Sequence, residues 1–393
     1  MTYYQIYRNW ILFYLTTNTI LATIASFFDF RGPLTQVFFV GLLLFDLGFI
    51  AYGIYFKKIF LKCFEIVLIA LLLVSLFKML LVNPFPFSRR IVTDLSNPIM
   101  FILKIALLRK CLGENDDLHF VLKRFSKYLF FASLFTIIAF ILLSRSRSIY
   151  IGLTPPIELP FVLNLLNGSY LKVFYALLLT LFSGKRSILL ALIVVFIIYN
   201  FFVHKKYRIK KSIVAIIMIL TFSAMIPNLL TSESLAVQKY VFTITTLLES
   251  EFSLGSEESF DIIDRVSGGR FSEISYSLQS FTKLDYILGK GPGYTYKLEV
   301  IASDFAESDY SNVHFTPINL FSKYGIIFTI LFFYYLLSSL FKETGNDRTS
   351  IFFKLLFAMY FIEMLFAFNI FVEPLIPFCI GYLTIKKHSK NYT

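Results

Sequence analysis

Long apolar runs, broken by short polar stretches, recur along the whole chain. About twelve segments stand out, at 10–28, 35–56, 61–82, 97–109, 128–144, 152–167, 170–183, 187–203, 212–230, 316–341, 351–371 and 375–386. Most approach the ~20 residues that a helix needs to cross a hydrocarbon core. The runs are continuous, so they predict membrane helices and not the alternating ~10-residue strands of a barrel. Pro155, Pro156 and Pro160 fall in one segment. Proline supplies no N–H to a helix, which predicts a kinked or partly re-entrant piece there. The expected architecture is an all-α polytopic membrane protein of about 12 transmembrane helices. Residues 1–230 carry helices 1–9, residues 231–316 form one long loop with short helices, and residues 317–393 carry helices 10–12.

The polar stretches set the orientation. Lys/Arg-rich connections occur at 57–62, 109–127, 204–211, 342–354 and 386–390. Short basic loops stay in the cytoplasm, and twelve spans put all five on that side together with both termini. Residues 231–316 then lie outside. This loop holds 13 of the 25 acidic residues and 6 of the 37 basic ones. It is too long for a plain connection and is expected to carry helices. The runs 234–249 and 270–284 show helical periodicity.

Composition sharpens the class. Only 16% of residues are charged and 57% are hydrophobic, with 48 phenylalanines. Soluble domains average about 25% charged residues. The net charge of +12 is explained by cations flanking apolar runs, so nucleic acid is not implied. Arg8 precedes an apolar run longer than a signal core, and no small-residue cleavage site follows; the run is expected to be a retained helix. Cys63, Cys111 and Cys379 form neither a disulfide framework nor a metal-type spacing. Lys78 and Lys104, inside apolar segments, are expected to snorkel from near helix ends.

Several cations run against the orientation rule. Lys185 and Arg186, in "FSGKRSIL", precede a helix that ends in the basic 204–211 stretch, so both are expected at the outer face. Arg31, Arg89, Arg90, Arg145, Arg147, Arg265 and Arg270 fall on the same side. Arginine presents a planar fork that suits phosphate oxygens, which points to an anionic ligand. Lipid headgroups or the acidic loop are the alternative partners. Farther on, "ILGKGPGYTY" forms a tight turn through Gly289, Lys290, Gly291 and Gly293; it lacks the spacing of a nucleotide P-loop. His314 stands just before a membrane helix with Pro317 in its first turn, and histidine trades protons near neutral pH. Glu273 and Glu258 are weaker candidates for a base, more readily taken as solvated loop charges.

The order "GKRS", then a long outer loop with "GGR…LGKGPG", then the histidine and "YGIIF" resembles the bacterial O-antigen polymerase and O-antigen ligase superfamily. The resemblance covers residues 180–330, the helix count and the loop position. It implies the C-type, multi-helix glycosyltransferase fold, with no metal or other cofactor. It implies that Arg186 and Arg270 engage the pyrophosphate of a lipid-linked donor and that His314 helps activate the acceptor. Lys185, Arg265, Gly289, Lys290, Gly291, Gly293, Arg145 and Arg147 are the further substrate-binding candidates. Phe315 follows the histidine where the ligase pattern tends to carry asparagine, which favours the polymerase.

The function so implied joins undecaprenyl-pyrophosphate-linked repeat units into polysaccharide at the periplasmic face of the bacterial inner membrane. The lipid-linked glycan serves as donor and acceptor; membrane lipids, a chain-length regulator and a flippase are the implied partners. A ligase moving polymer onto lipid A-core is one alternative. A flippase for lipid-linked oligosaccharides is another, and it would be expected to place charges within the bundle.

Overall fold

A computed structural model of the 393-residue chain describes residues 3–28, 33–56, 59–82, 88–112, 157–182, 186–203, 270–297, 309–310, 312–341, 348–366, 370–371 and 373–385, with a few isolated positions between 123 and 134. The described chain is mostly helical. It forms two compact units, each assembled from three separated stretches. One comprises Met1–Phe45, Glu114–Glu249 and Gly345–Glu363; the other comprises Asp46–Gly113, Ser250–Thr344 and Met364–Thr393.

In the first unit, α1 (Tyr3–Phe28) meets the middle of α2 (Pro33–Tyr55), where the Trp10 and Phe45 rings stack. Within the segment expected at 152–167, the described part forms a short α5, Glu158–Leu166, with Pro160 in its first turn. Its turn into α6 (Tyr170–Phe182) uses Gly168, at φ 68°. Next, α7 (Arg186–Ile197) runs into a π turn, Ile198–Val203. The Tyr170 hydroxyl donates to Asn200 across this pair at 3.0 Å. Arg348, which opens α11 (Arg348–Leu365; the intervening helices are introduced below), donates to the Leu166 carbonyl at 3.1 Å and to Asn167.

Among the described residues, three helices are long and apolar enough to cross a membrane, and all belong to the second unit: Cys63–Val82, Arg89–Lys110 and Thr316–Phe341. They belong to α3 (Cys63–Val82), α4 (Arg89–Leu112) and α10 (Thr316–Phe341). Its described residues also form short α8 (Arg270–Leu278), α9 (Lys283–Leu288) and α12 (Leu375–Leu383). A two-stranded ribbon pairs β1 (Tyr296–Lys297) with β2 (Asp309–Tyr310) in antiparallel register.

Periodicity explains the packing of α3. Leu68, Leu72, Ser75 and Met79 are buried, whereas Val67, Leu73, Phe77 and Leu81 are exposed. The buried set recurs at helical spacing and faces α4 and α10; the exposed apolar set forms the face such a helix presents to lipid. The core of this unit is aromatic: Tyr324, Phe328 and Phe332 follow one another along α10, and Phe332 meets Phe101 of α4 and Phe371. On the other side of α4, Gly381 of α12 sits where an added Cβ would come 3.0 Å from Leu108. The small residue allows the two helices to approach closely.

Two expectations about charge are corrected. Lys104 does not snorkel: it is 2% exposed and its Nζ lies 2.6 Å from Asp46. Lys78 is bound to Asp285 and the Gly289 carbonyl. In an apolar interior a lone ammonium is costly, so each lysine has taken a carboxylate partner from a distant part of the chain. The segment expected at 97–109 is longer at its start and includes the charged residues from Arg89 to Asp94.

Candidate functional site

The site is built on a break in α10. Gly325 interrupts the helix with φ 81° and ψ 174°, a region open essentially only to glycine. The turn at 289–293 crosses the chain there. Gly289 has nearly the same backbone conformation, φ 74° and ψ 174°. A Cβ on Gly325 would lie 2.0 Å from the Ile287 carbonyl oxygen, and one on Gly289 would lie 2.3 Å from that of Lys323. Two backbones thus cross in contact, with no room for a side chain on either.

The crossing is also bonded. The Lys290 N–H donates to the Ser322 carbonyl at 2.8 Å, and the Gly291 N–H to the Lys323 carbonyl at 2.9 Å. Ser75 of α3 donates to the same Lys323 oxygen at 2.8 Å. A broken helix in an apolar setting needs such substitute donors. Short α9 sets up this turn. Thr282 and Asp285 form a reciprocal capping box, and Asp285 also takes Lys78 and Lys290. Burial works against the Asp285 charge, but bonds from Lys78, Thr282 and Lys290 outweigh it and hold the carboxyl well below the usual range.

Gly289, Lys290, Gly291 and Gly293, expected as substrate-binding residues, all lie in this turn. Their close fit and N–H groups are committed to packing inside the unit, so the turn is a strap across the broken helix. Gly293 donates its N–H to Asp94 at 2.8 Å, and a Cβ on Gly291 would meet that of Met79 at 2.5 Å. The Lys290 Nζ reaches the Ser280 carbonyl at 2.6 Å.

Asp94 is the centre of the next layer. Its carboxylate accepts from Lys323 Nζ at 2.8 Å, and its carbonyl accepts from the Tyr324 hydroxyl. That carbonyl is open because the residue four positions on is Pro98, which has no N–H to give it. Lys323, buried at 2% exposure, also donates to Asn312 Oδ1 at 2.7 Å. The Tyr296 hydroxyl lies 3.2 Å from the Asn312 carbonyl and donates to Glu273 Oε1 at 2.6 Å.

The chain of bonds ends at His314. Its Nδ1 lies 3.0 Å from Glu273 Oε1, and its backbone N–H donates to Oε2 at 3.0 Å. Glu273 is buried, while the His314 side chain is 51% exposed. The expectation that Glu273 is a solvated loop charge is therefore corrected: α8 turns it inward beneath the imidazole. Burial raises the Glu273 carboxyl, yet bonds from the His314 side chain, Tyr296 and the His314 backbone prevail and leave it below its ordinary value. Burial, reinforced by the bond to Glu273, pushes the Tyr296 phenol up, so it remains a donor. A buried carboxylate that fixes one ring nitrogen sets both the orientation and the tautomer of the histidine.

Arg270 opens α8 one turn before Glu273 and is half-buried. The spacing places both residues on one side of the helix. Arg186 opens α7 in the other unit. Lys185, Arg265, Arg145, Arg147 and Glu258 lie outside the described residues, as do residues 234–249. Among the described residues, no group of three or more His, Cys, Asp or Glu side chains gathers as a metal site. Sequence reading missed Asp94, Tyr296, Asn312 and Lys323. The available signals were an aspartate four residues before a proline and a lysine beside the glycine of "KYGII".

Beside this array is an open cleft of about 380 Å³, lined by Tyr276, Gln279, Ser280, Tyr294, Thr295, Tyr296 and Lys297. No protein-family model, curated protein or solved structure matches the chain.

Proposed function

We propose that the protein is a membrane glycosyltransferase that joins polyprenyl-pyrophosphate-linked oligosaccharides, with polymerisation of repeat units at the periplasmic face as the reaction. The observation that carries this reading is the half-exposed His314 held by buried Glu273 at the end of a membrane-helix bundle. The supporting resemblance lies in residues 180–330.

In this reading an acceptor sugar hydroxyl attacks the anomeric carbon of the donor. The new C–O bond forms as the bond to the pyrophosphate oxygen breaks, and the polyprenyl pyrophosphate departs with the electron pair. His314 takes the hydroxyl proton on Nε2, since Nδ1 faces Glu273. The Glu273 carboxylate stabilises the imidazolium that results. Arg270 meets the charge that develops on the leaving group, where fixed cations favour the transition state over the ground state. The resemblance adds Arg186 to that task.

A second reading has an observation of its own. The pairs Lys104–Asp46, Lys323–Asp94 and Arg109–Glu65 place charge among the apolar helices, as a transporter of lipid-linked oligosaccharide would. A gene-deletion strain separates the readings on a gel of surface polysaccharide. Core carrying one repeat unit marks a polymerase. Unmodified core with polymer on the carrier lipid marks a ligase, and single units trapped inside mark a flippase. Within the polymerase reading, His314→Ala is expected to lower the joining rate by about 10²- to 10⁴-fold with membrane abundance unchanged. Undiminished polymer would remove His314 from the reaction.

A further inference from the structure

The cleft that shares Tyr296 with the Glu273–His314 array has the composition of a sugar site. Tyr276, Gln279 and Ser280 come from the end of α8 and the turn after it; Tyr294 to Lys297 come from the segment entering β1. Three tyrosines supply aromatic surface of the kind that packs against the C–H side of a pyranose, while Gln279, Ser280 and Thr295 supply an amide and hydroxyls for its hydroxyl groups. This mixture of an aromatic body with a few polar groups suits a neutral hydroxylated ligand. Lys297 is the one cation among these seven residues, and none of the seven is a carboxylate.

Its walls are held from behind. The Tyr294 hydroxyl donates to the Ser277 carbonyl at 2.8 Å, and its ring meets Phe281. Tyr296 is buried and bonded to Glu273. Tyr296 thus belongs to both features: it lines the cleft and it fixes the carboxylate that holds His314. A ligand lying along this wall is brought to the side of the array that handles the acceptor proton.

We propose that this cleft is the acceptor subsite, binding a neutral or N-acetylated sugar next to the one whose hydroxyl reacts. The proposal rests on the glycosyl-transfer reading. It assigns Tyr276 and Gln279 to acceptor affinity rather than to the chemical step.

The test uses the full-length protein in nanodiscs and, as probe, oligosaccharide released by mild acid from the host's lipid-linked pool. Saturation-transfer NMR with no lipid-linked donor present reads binding alone. Wild type is expected to bind, and Tyr276→Ala and Gln279→Ala to bind about tenfold more weakly. Tyr276→Phe, which keeps the ring, is expected to retain the affinity. In turnover assays the alanine variants are expected to raise KM for acceptor and leave kcat near the wild-type value. Absence of binding by wild type, or equal binding by wild type and both alanine variants, overturns the subsite. Failure of the glycosyl-transfer reading looks different: the deletion strain keeps normal polysaccharide, or traps single units inside, whether or not the purified protein binds the probe.

Discussion

Two polar clusters tie the same three long helices, and they differ in where they lead. One joins Glu65 of α3 to Arg109 of α4, at 2.7 and 2.8 Å, and to the Tyr335 hydroxyl of α10 at 2.6 Å. Glu65 is wholly buried, and it also accepts the Lys62 N–H at the start of its helix. The other joins Asp94 of α4 to Lys323 and Tyr324 of α10, with Ser75 of α3 bound to the Lys323 carbonyl. Along α3, Glu65 and Ser75 are separated by about 15 Å of helical rise. The Glu65 cluster ties the helices and goes no farther among the bonds described. The Asp94 cluster continues through Asn312 and Tyr296 to Glu273 and an exposed imidazole. Similar chemistry therefore serves one end as a clamp and the other as a foundation for the site.

The largest expected effect comes from breaking the clamp. Glu65→Ala leaves the Arg109 guanidinium and the Tyr335 hydroxyl without their carboxylate in a buried place. Loss of one partner of a buried pair costs about 3–5 kcal/mol, to be read as lower membrane abundance and earlier unfolding in detergent. Wild-type stability in this variant would break the comparison. The next effect sharpens it. The double variant Asp94→Asn with Lys323→Met removes both charges together and is expected to remain folded. Asn312 is then less firmly held, and on the glycosyl-transfer reading the joining rate per folded molecule is expected to fall roughly 10- to 100-fold. The matching neutralisation of the clamp, Glu65→Gln with Arg109→Met, should spare that rate. If both double variants reduce it equally, the two clusters do not differ in function.

The smallest expected effect is a dependence on pH. The folded carboxyls of Asp285 and Glu273 are lowered. Their contribution to stability is therefore complete above the unfolded carboxylate range and is lost as pH falls through that range toward the folded values. Asp285→Asn should be less stable near neutrality and should lose less on acidification below about pH 4. Thermal unfolding in nanodiscs from pH 7 down to 3 measures both slopes; parallel curves would remove Asp285 as a source of the acid response.

Much of the helical framework was legible because apolar run length reports it directly. The expected 316–341 coincides with Thr316–Phe341, and 61–82 differs from Cys63–Val82 only at its start. The start of α4 was hidden because Arg89, Arg90 and Asp94 interrupt the hydropathy signal, yet they occupy helical positions. The lysines were misread for a related reason. Snorkelling is a local inference, whereas the carboxylate bound by Lys78 is 207 residues away in sequence. Within the site, His314 and the glycines were visible as residue types. That Glu273 lies beneath His314, and that the glycine turn braces a broken helix, depends on contacts that no local pattern encodes.

The crossing at Gly289 and Gly325 also bears on the order of assembly. The Ser322 and Lys323 carbonyls receive their donors from a segment made earlier, so α10 emerges from the ribosome after the strand that must receive it. Insertion of α10 then leaves an unfinished backbone until Lys290 and Gly291 dock against it. Closure of the 289–293 turn against α10 is then a step of folding itself, ahead of any ligand. A bulkier residue at Gly289 is expected to obstruct that docking, because even a Cβ there would lie 2.3 Å from the Lys323 carbonyl oxygen.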